Sequence, residues 1–128
     1  MNPVRKAKEL FMKKQISQKQ FINAYRSAGL WFVALYMEAF LRRIDELRDR
    51  NKKTKLIEEI YNNGEGPDKD ESGTRTRVSC LHRIIEAGRV IEALEIAAGS
   101  ERLRNDFPDA ANEAEDLLKR IKSGEVVI

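Results

Sequence analysis

The stretch GLWFVALYMEAFLRRIDELRDR, residues 29–50, decides the fold. Within residues 30–41 only Glu38 is not apolar. An apolar band that wide leaves no face for water, so the helix it forms belongs in a core or at a subunit interface. Its second half turns amphipathic. Leu41, Ile44 and Leu47 continue one stripe, while Arg42, Arg43, Asp45, Glu46, Arg48 and Asp49 face outward. Glu38 is the exception inside the band. A buried carboxylate needs a partner or a proton. Arg42, four residues on, can pair with it in the same helix; otherwise a partner reaches it across the bundle.

Helical spacing continues on both sides. Upstream, Val4, Ala7, Leu10 and Phe11 predict a helix over residues 3–14, with Pro3 in its first turn. Ser17-Gln18-Lys19-Gln20 has the form of a capping box, and the helix it opens buries Phe21, Ile22, Ala24 and Tyr25 before Gly29 ends it. Downstream, Leu56, Ile57, Ile60 and Tyr61 place a short helix over about residues 54–62. NNGEGPDKDESG, residues 62–73, then interrupts all periodicity and predicts a mobile loop at about residues 62–74. It divides the chain into halves, 1–61 and 75–128, each too small to hold a core alone.

After the loop Val78, Leu81, Ile84 and Ile85 give one helix face, with Thr74 or Thr76 as its N-cap. Beyond Gly88, residues Val90, Ile91, Ala93, Leu94, Ile96 and Ala97 give another, and Ser100 caps a turn after Gly99. Pro108 opens a last helix that buries Ala111, Ala114, Leu117, Leu118 and Ile121 and stops at Gly124. The apolar tail, Glu125-Val126-Val127-Ile128, is suited to docking on the core or on a neighbour. No segment alternates with period two. The expected fold is all-α: one domain, 1–128, built as a helical bundle of about five to seven helices.

Composition agrees. The chain has 128 residues, 41% apolar and 35% charged, with three prolines, a mix that suits a compact helical domain and not a disordered one. A single cysteine gives neither an internal disulfide nor a multi-cysteine metal site. No secretory signal opens the chain and no apolar run approaches a membrane span, so the expected address is cytoplasmic, with no membrane partner. Net charge is +3, which permits nucleic-acid contact without requiring it. The charge is uneven. Residues 1–26 carry Arg5, Lys6, Lys8, Lys13, Lys14, Lys19 and Arg26 against Glu9 alone, whereas residues 101–116 are acid-rich. Such a gradient suits head-to-tail association, a polyanionic partner or simply solvated faces.

Phosphate loops, dinucleotide glycine patterns, nucleophile elbows and paired metal spacings are absent from the sequence, and no cofactor or metal is expected. Acid pairs such as Glu58-Glu59 alternate with lysine and arginine at helical distances and read as ion-pair decoration. The rare residues gather in TRTRVSCLHRII, residues 74–85, which holds the only cysteine, Cys80, and the only histidine, His82. Its bland reading is the start of a basic helix with Cys80 as a small filler. A second reading is an anion pocket, in which Thr74, Arg75, Arg77 and Arg83 sit beside free amides at a helix start.

Four residues separate Arg77 from His82 and six separate Arg75 from it, and this spacing resembles the signature of HEPN ribonucleases. That resemblance implies a small helical, dimeric, metal-independent enzyme. Arg77 or Arg75 would stabilise a phosphorane and His82 would move a proton. The asparagine often found after the arginine in that family is absent, as is the aromatic residue after the histidine. A second stretch, residues 82–118, looks like the helical hairpin of a tetratricopeptide unit, with Gly88, Glu92-Ala93-Leu94 and Pro108 as landmarks. It occurs once, so a hairpin is expected and a repeat array is not.

The expected function is a small binding or regulatory module in contact with nucleic acid. Trp31, Phe32, Tyr36, Met37 and Phe40 supply more large apolar surface than one bundle needs, and predict self-association as a homodimer. The candidate nucleic-acid contacts are the loop-proximal residues Thr74, Arg75, Arg77 and Arg83 with Lys13, Lys14 and Lys19. The alternatives are the HEPN-like ribonuclease and an accessory subunit of a larger nucleic-acid-processing complex.

Overall fold

The apolar stretch is the central helix of the structure, a computed structural model that describes residues 15–64 and 68–128. In chain order the helices are α1 (Gln18–Ala28), α2 (Leu30–Arg42), α3 (Ile44–Arg48), α4 (Arg50–Asn62), α5 (Glu71–Glu86), α6 (Val90–Ala98), α7 (Glu101–Asp106) and α8 (Pro108–Lys122). That makes eight helices and no strand among the described residues, against an expected five to seven. The all-α fold is as expected. The helix expected over residues 3–14 lies outside the described residues.

One arginine makes an extra helix, and two aspartates move the starts of expected ones. The amphipathic continuation of α2 breaks at Arg43, whose backbone leaves the helical region (φ −107°, ψ 27°). The Arg43 guanidinium donates to Glu46 at 2.7 Å and to Glu59 of α4 at 3.1 Å, tying the break to the neighbouring helix. Asp49 then accepts the amides of Asn51 and Lys52, both at 3.0 Å, so α4 starts at Arg50, ahead of the expected residue 54. Asp70 does the same for α5 by accepting the Gly73 amide at 3.2 Å. The loop is therefore shorter than expected, and Thr74 and Thr76 lie inside the helix, not at its cap.

Elsewhere the local signals act as read. Ser17 Oγ accepts the Gln20 amide at 3.1 Å while the Ser17 amide donates back to Gln20 Oε1 at 2.8 Å. Ser100 caps α7, and Pro108 occupies the first turn of α8. Residues 82–118 form two longer helices, α6 and α8, packed on each other with the short α7 between them.

α2 packs against α1, α3, α5, α6 and α8. Phe32 stacks on Tyr36 at 4.5 Å between ring centroids and meets Phe40 edge-on at 5.8 Å. The core draws on both halves of the chain, from Phe21 in α1 to Ile121 in α8. Glu38 is satisfied in both ways the sequence allowed: Arg42 pairs with it in the same helix, and Arg120 of α8 grips both its oxygens from across the bundle. The Arg120 hydrogen bonds hold the Glu38 carboxyl below its usual range, against the opposing effect of partial burial.

Gly29 makes the corner between α1 and α2. Its φ of +89° and ψ of 144° suit glycine alone, and a Cβ there would lie 2.8 Å from Arg77 Nη1. Gly29→Ala is expected to cost about 2 kcal/mol or more, read as a lower urea midpoint at unchanged slope. Gly64→Ala, at φ +66° with open space around it, is expected to lose only about 1 kcal/mol of backbone preference.

Candidate functional site

TRTRVSCLHRII occupies the body of α5, and its polar side chains are divided between two faces. Arg77 turns to the α1–α2 corner. It donates through Nη1 to the Ala28 carbonyl at 2.7 Å and through Nε to the Asp68 carboxylate at 3.0 and 3.1 Å. Thr74, almost fully buried, donates to the other side of the same carboxylate at 3.0 Å. Arg75 is exposed and pairs with Glu71 at 3.2 Å. Arg83 is exposed and has no ion pair or hydrogen bond among the described residues.

His82 turns to α4. Its Nδ1 lies 3.2 Å from Lys53 Nζ, and its Nε2 lies 3.2 Å from Glu86 Oε1. An ammonium has only donors, so Nδ1 accepts and Nε2–H donates to Glu86. Arg48 of α3 donates to the same carboxylate at 2.8 Å. Five residues along a helix rotate a side chain by about 140°, which is why Arg77 and His82 have no partner in common. Arg75 lies two turns from His82, roughly 10 Å along the axis. The arginines and the histidine of the ribonuclease-like spacing are thus not brought together within the chain.

The candidate anion pocket at the start of α5 is differently built from the sequence reading. Asp70 already occupies the leading amides, Thr74 is enclosed, and the Arg77 guanidinium is spent on Asp68 and Ala28. Lys19 is exposed on α1, while Lys13 and Lys14 lie outside the described residues. Among the candidate interface residues, Phe32, Met37 and Phe40 are core side chains, enclosed on all sides because five helices surround α2. Tyr36 is half-buried beside them. Of the five, Trp31 and, from beneath, the buried Phe32 line an open groove.

That groove, about 730 Å³, runs over the α1–α2 corner towards α7. Trp31, Leu30, Ile96 and Phe107 give it an apolar floor, with the Trp31 and Phe107 rings 6.3 Å apart. Phe107 is 50% exposed and Ile96 39%, unusual for side chains of this size. Arg26, Arg77 and Arg102 line it against one acid, Asp106. Arg77 is neutralised by Asp68, but Arg26 and Arg102 have no ion pair or hydrogen bond among the described residues. The N-terminus of α2 opens here too. No side chain caps it, so the amides of Leu30, Trp31 and Phe32 lack an intrahelical acceptor and give the groove a positive end.

Sequence reasoning missed Arg26, Arg102 and Phe107 as a group. The available signal was Phe107, a large aromatic residue at a helix break before Pro108, where a core residue is not expected. Compared with known protein families, curated proteins and solved structures, the chain gives no match.

His82 also sets a pH dependence. Burial, then the facing Lys53 charge, pull its pKa below the usual imidazole value; the Glu86 hydrogen bond opposes them, and Arg48 adds to the lowering. The fold therefore favours the neutral ring. This contribution is present above the unfolded pKa of about 6.5 and is lost as pH falls through the lower folded value. Urea midpoints of the wild type are expected to drop between neutral pH and the onset of carboxylate titration. His82→Gln should flatten that segment of the profile.

Proposed function

We propose that the chain is a non-catalytic binding module that takes up single-stranded nucleic acid in the groove over the α1–α2 corner. The observation that carries this reading is the pairing of a half-buried aromatic ring, Trp31, and an exposed one, Phe107, with two uncommitted arginines, Arg26 and Arg102, in one groove. Bases stack on exposed aromatic faces regardless of sequence, while guanidinium groups and free helix amides meet the phosphates. A duplex buries its base faces and offers the rings nothing to stack on. The same chemistry serves a free module or a subunit of a larger nucleic-acid-processing assembly.

The chain carries one tryptophan, so Trp31 reports on its own site. Titration with a short oligo-dT or oligo-U at low salt is expected to quench Trp31 fluorescence, with duplex DNA and mononucleotides much weaker. The slope of log K against log salt should fall by about 0.7 for each of Arg26→Ala and Arg102→Ala. Trp31→Ala should weaken binding by about 1–3 kcal/mol, read by anisotropy of a labelled oligonucleotide. Unchanged fluorescence and anisotropy at low salt would reject the reading. Cleavage of the oligo-U, lost in His82→Ala, would favour the ribonuclease instead.

A further inference from the structure

The polar cluster between α4 and α5 has the order of a nucleophile, a base and an orienting acid. Lys53 Nζ stands 3.2 Å from His82 Nδ1, and the opposite ring nitrogen stands 3.2 Å from Glu86 Oε1. Arg48 fixes that carboxylate in turn at 2.8 Å. The His82 and Glu86 side chains are only 17% and 19% exposed, so the relay is held by packing. We propose that Lys53 is a site of selective acylation, activated by His82, with anionic acyl phosphates as the class of donor. An amine touching a base that is itself oriented by a third group is the geometry of an activated nucleophile.

The donor class follows from the surroundings. RNKKTK, residues 50–55, places the exposed Arg50, Lys52 and Lys55 on the helix that carries Lys53, and Arg48 adds a fourth cation beside the relay. The titratable and charged groups that face His82 are Lys53 from α4, Arg48 from α3, and Glu86 on its own helix. Cys80 of α5 lies near enough to Lys53 to favour its charged form, an effect outweighed by burial, which draws the ammonium below its ordinary pKa.

The steps balance. The Lys53 ammonium passes one proton to His82 Nδ1, and the imidazolium keeps its Nε2–H on Glu86. His82 then releases that proton to water. The amine lone pair attacks the acyl carbon, the acyl carbon–oxygen bond breaks, and phosphate leaves with the electron pair. The remaining excess proton on nitrogen passes to His82 and then to water, leaving a neutral amide. Glu86 acts as a positioning residue. Acylation also removes the charge facing His82, so the histidine becomes easier to protonate.

The folded chain is incubated with acetyl phosphate at neutral pH, and every lysine is followed by peptide mass spectrometry. Lys53 is expected to react about tenfold faster than its exposed neighbours Lys52 and Lys55. His82→Gln should bring Lys53 down to their rate, and Glu86→Gln should reduce it partway, both at unchanged circular dichroism. In the wild type, the rate at Lys53 should level off at a lower pH than at Lys55, which tests the idea without a variant. The His82 titration midpoint, read by NMR, should rise after acetylation. Equal or slower reaction at Lys53 than at Lys52, or a Lys53 rate indifferent to His82→Gln, overturns the proposal.

Discussion

The contact on which the arrangement depends is that of Arg77 with the end of α1. Its guanidinium bridges the Ala28 carbonyl and the Asp68 carboxylate, joining the N-terminal half, the connecting loop and the C-terminal half through one side chain. Asp68 is only 11% exposed on its side chain, and its carboxylate is held there by this cation and the Thr74 hydroxyl. Gly29 is fixed by the same contact. The corner needs a positive φ, and Arg77 comes so near that a Cβ has no room. Once the corner is set, α2 leaves α1 with its amide end open, and Arg26 and Trp31 fall on the walls of one groove.

Much of the fold was legible in the sequence because its signals are local. Ser17 and Gln20 satisfy each other three residues apart, and Pro108 needs only its own ring to start a helix. The width of the apolar band in α2 required cover, which the fold gives Phe32, Val33, Ala34, Met37 and Phe40 while Ala39 stays exposed and Trp31, Leu35, Tyr36 and Leu41 half-buried. It did not say who provides the cover. The surplus of aromatic residues therefore read as a subunit interface, whereas five helices of the same chain enclose Phe32, Met37 and Phe40.

What was not legible is non-local or ambiguous in kind. An aspartate in a charged run is a solvated ion or a helix cap depending on whether the backbone turns there. Asp49 and Asp70 proved to be caps, and α4 and α5 started early for that reason. Arg43 breaks a helix while reaching Glu59, sixteen positions away. The partners of Arg77 lie 9 and 49 positions away, and no spacing within residues 74–85 encodes them. The groove was hidden for the same reason: Arg26, Trp31, Arg102 and Phe107 become neighbours only after α7 has folded back onto the corner.

α5 shows how one helix serves two unrelated sites. Its buried stripe, Thr74, Val78, Leu81 and Ile84, is fixed by the core, so the polar residues flanking it are sent to opposite sides. Arg77 goes to the α1–α2 corner and His82 to α4. A motif defined by their spacing presumes that both reach one phosphate, but packing of the stripe decides otherwise, since about 140° of rotation separates them. The two cationic features then differ in kind. Arg77 is spent on structure, which leaves Arg26 and Arg102 as the uncommitted charges of the groove. At α4, burial and the facing Lys53 charge keep His82 neutral, and a neutral ring can accept a proton from the lysine beside it. Rare residues gathered in one short stretch of sequence thus end in two places: Arg77 frames the α1–α2 corner and His82 joins the polar cluster against α4.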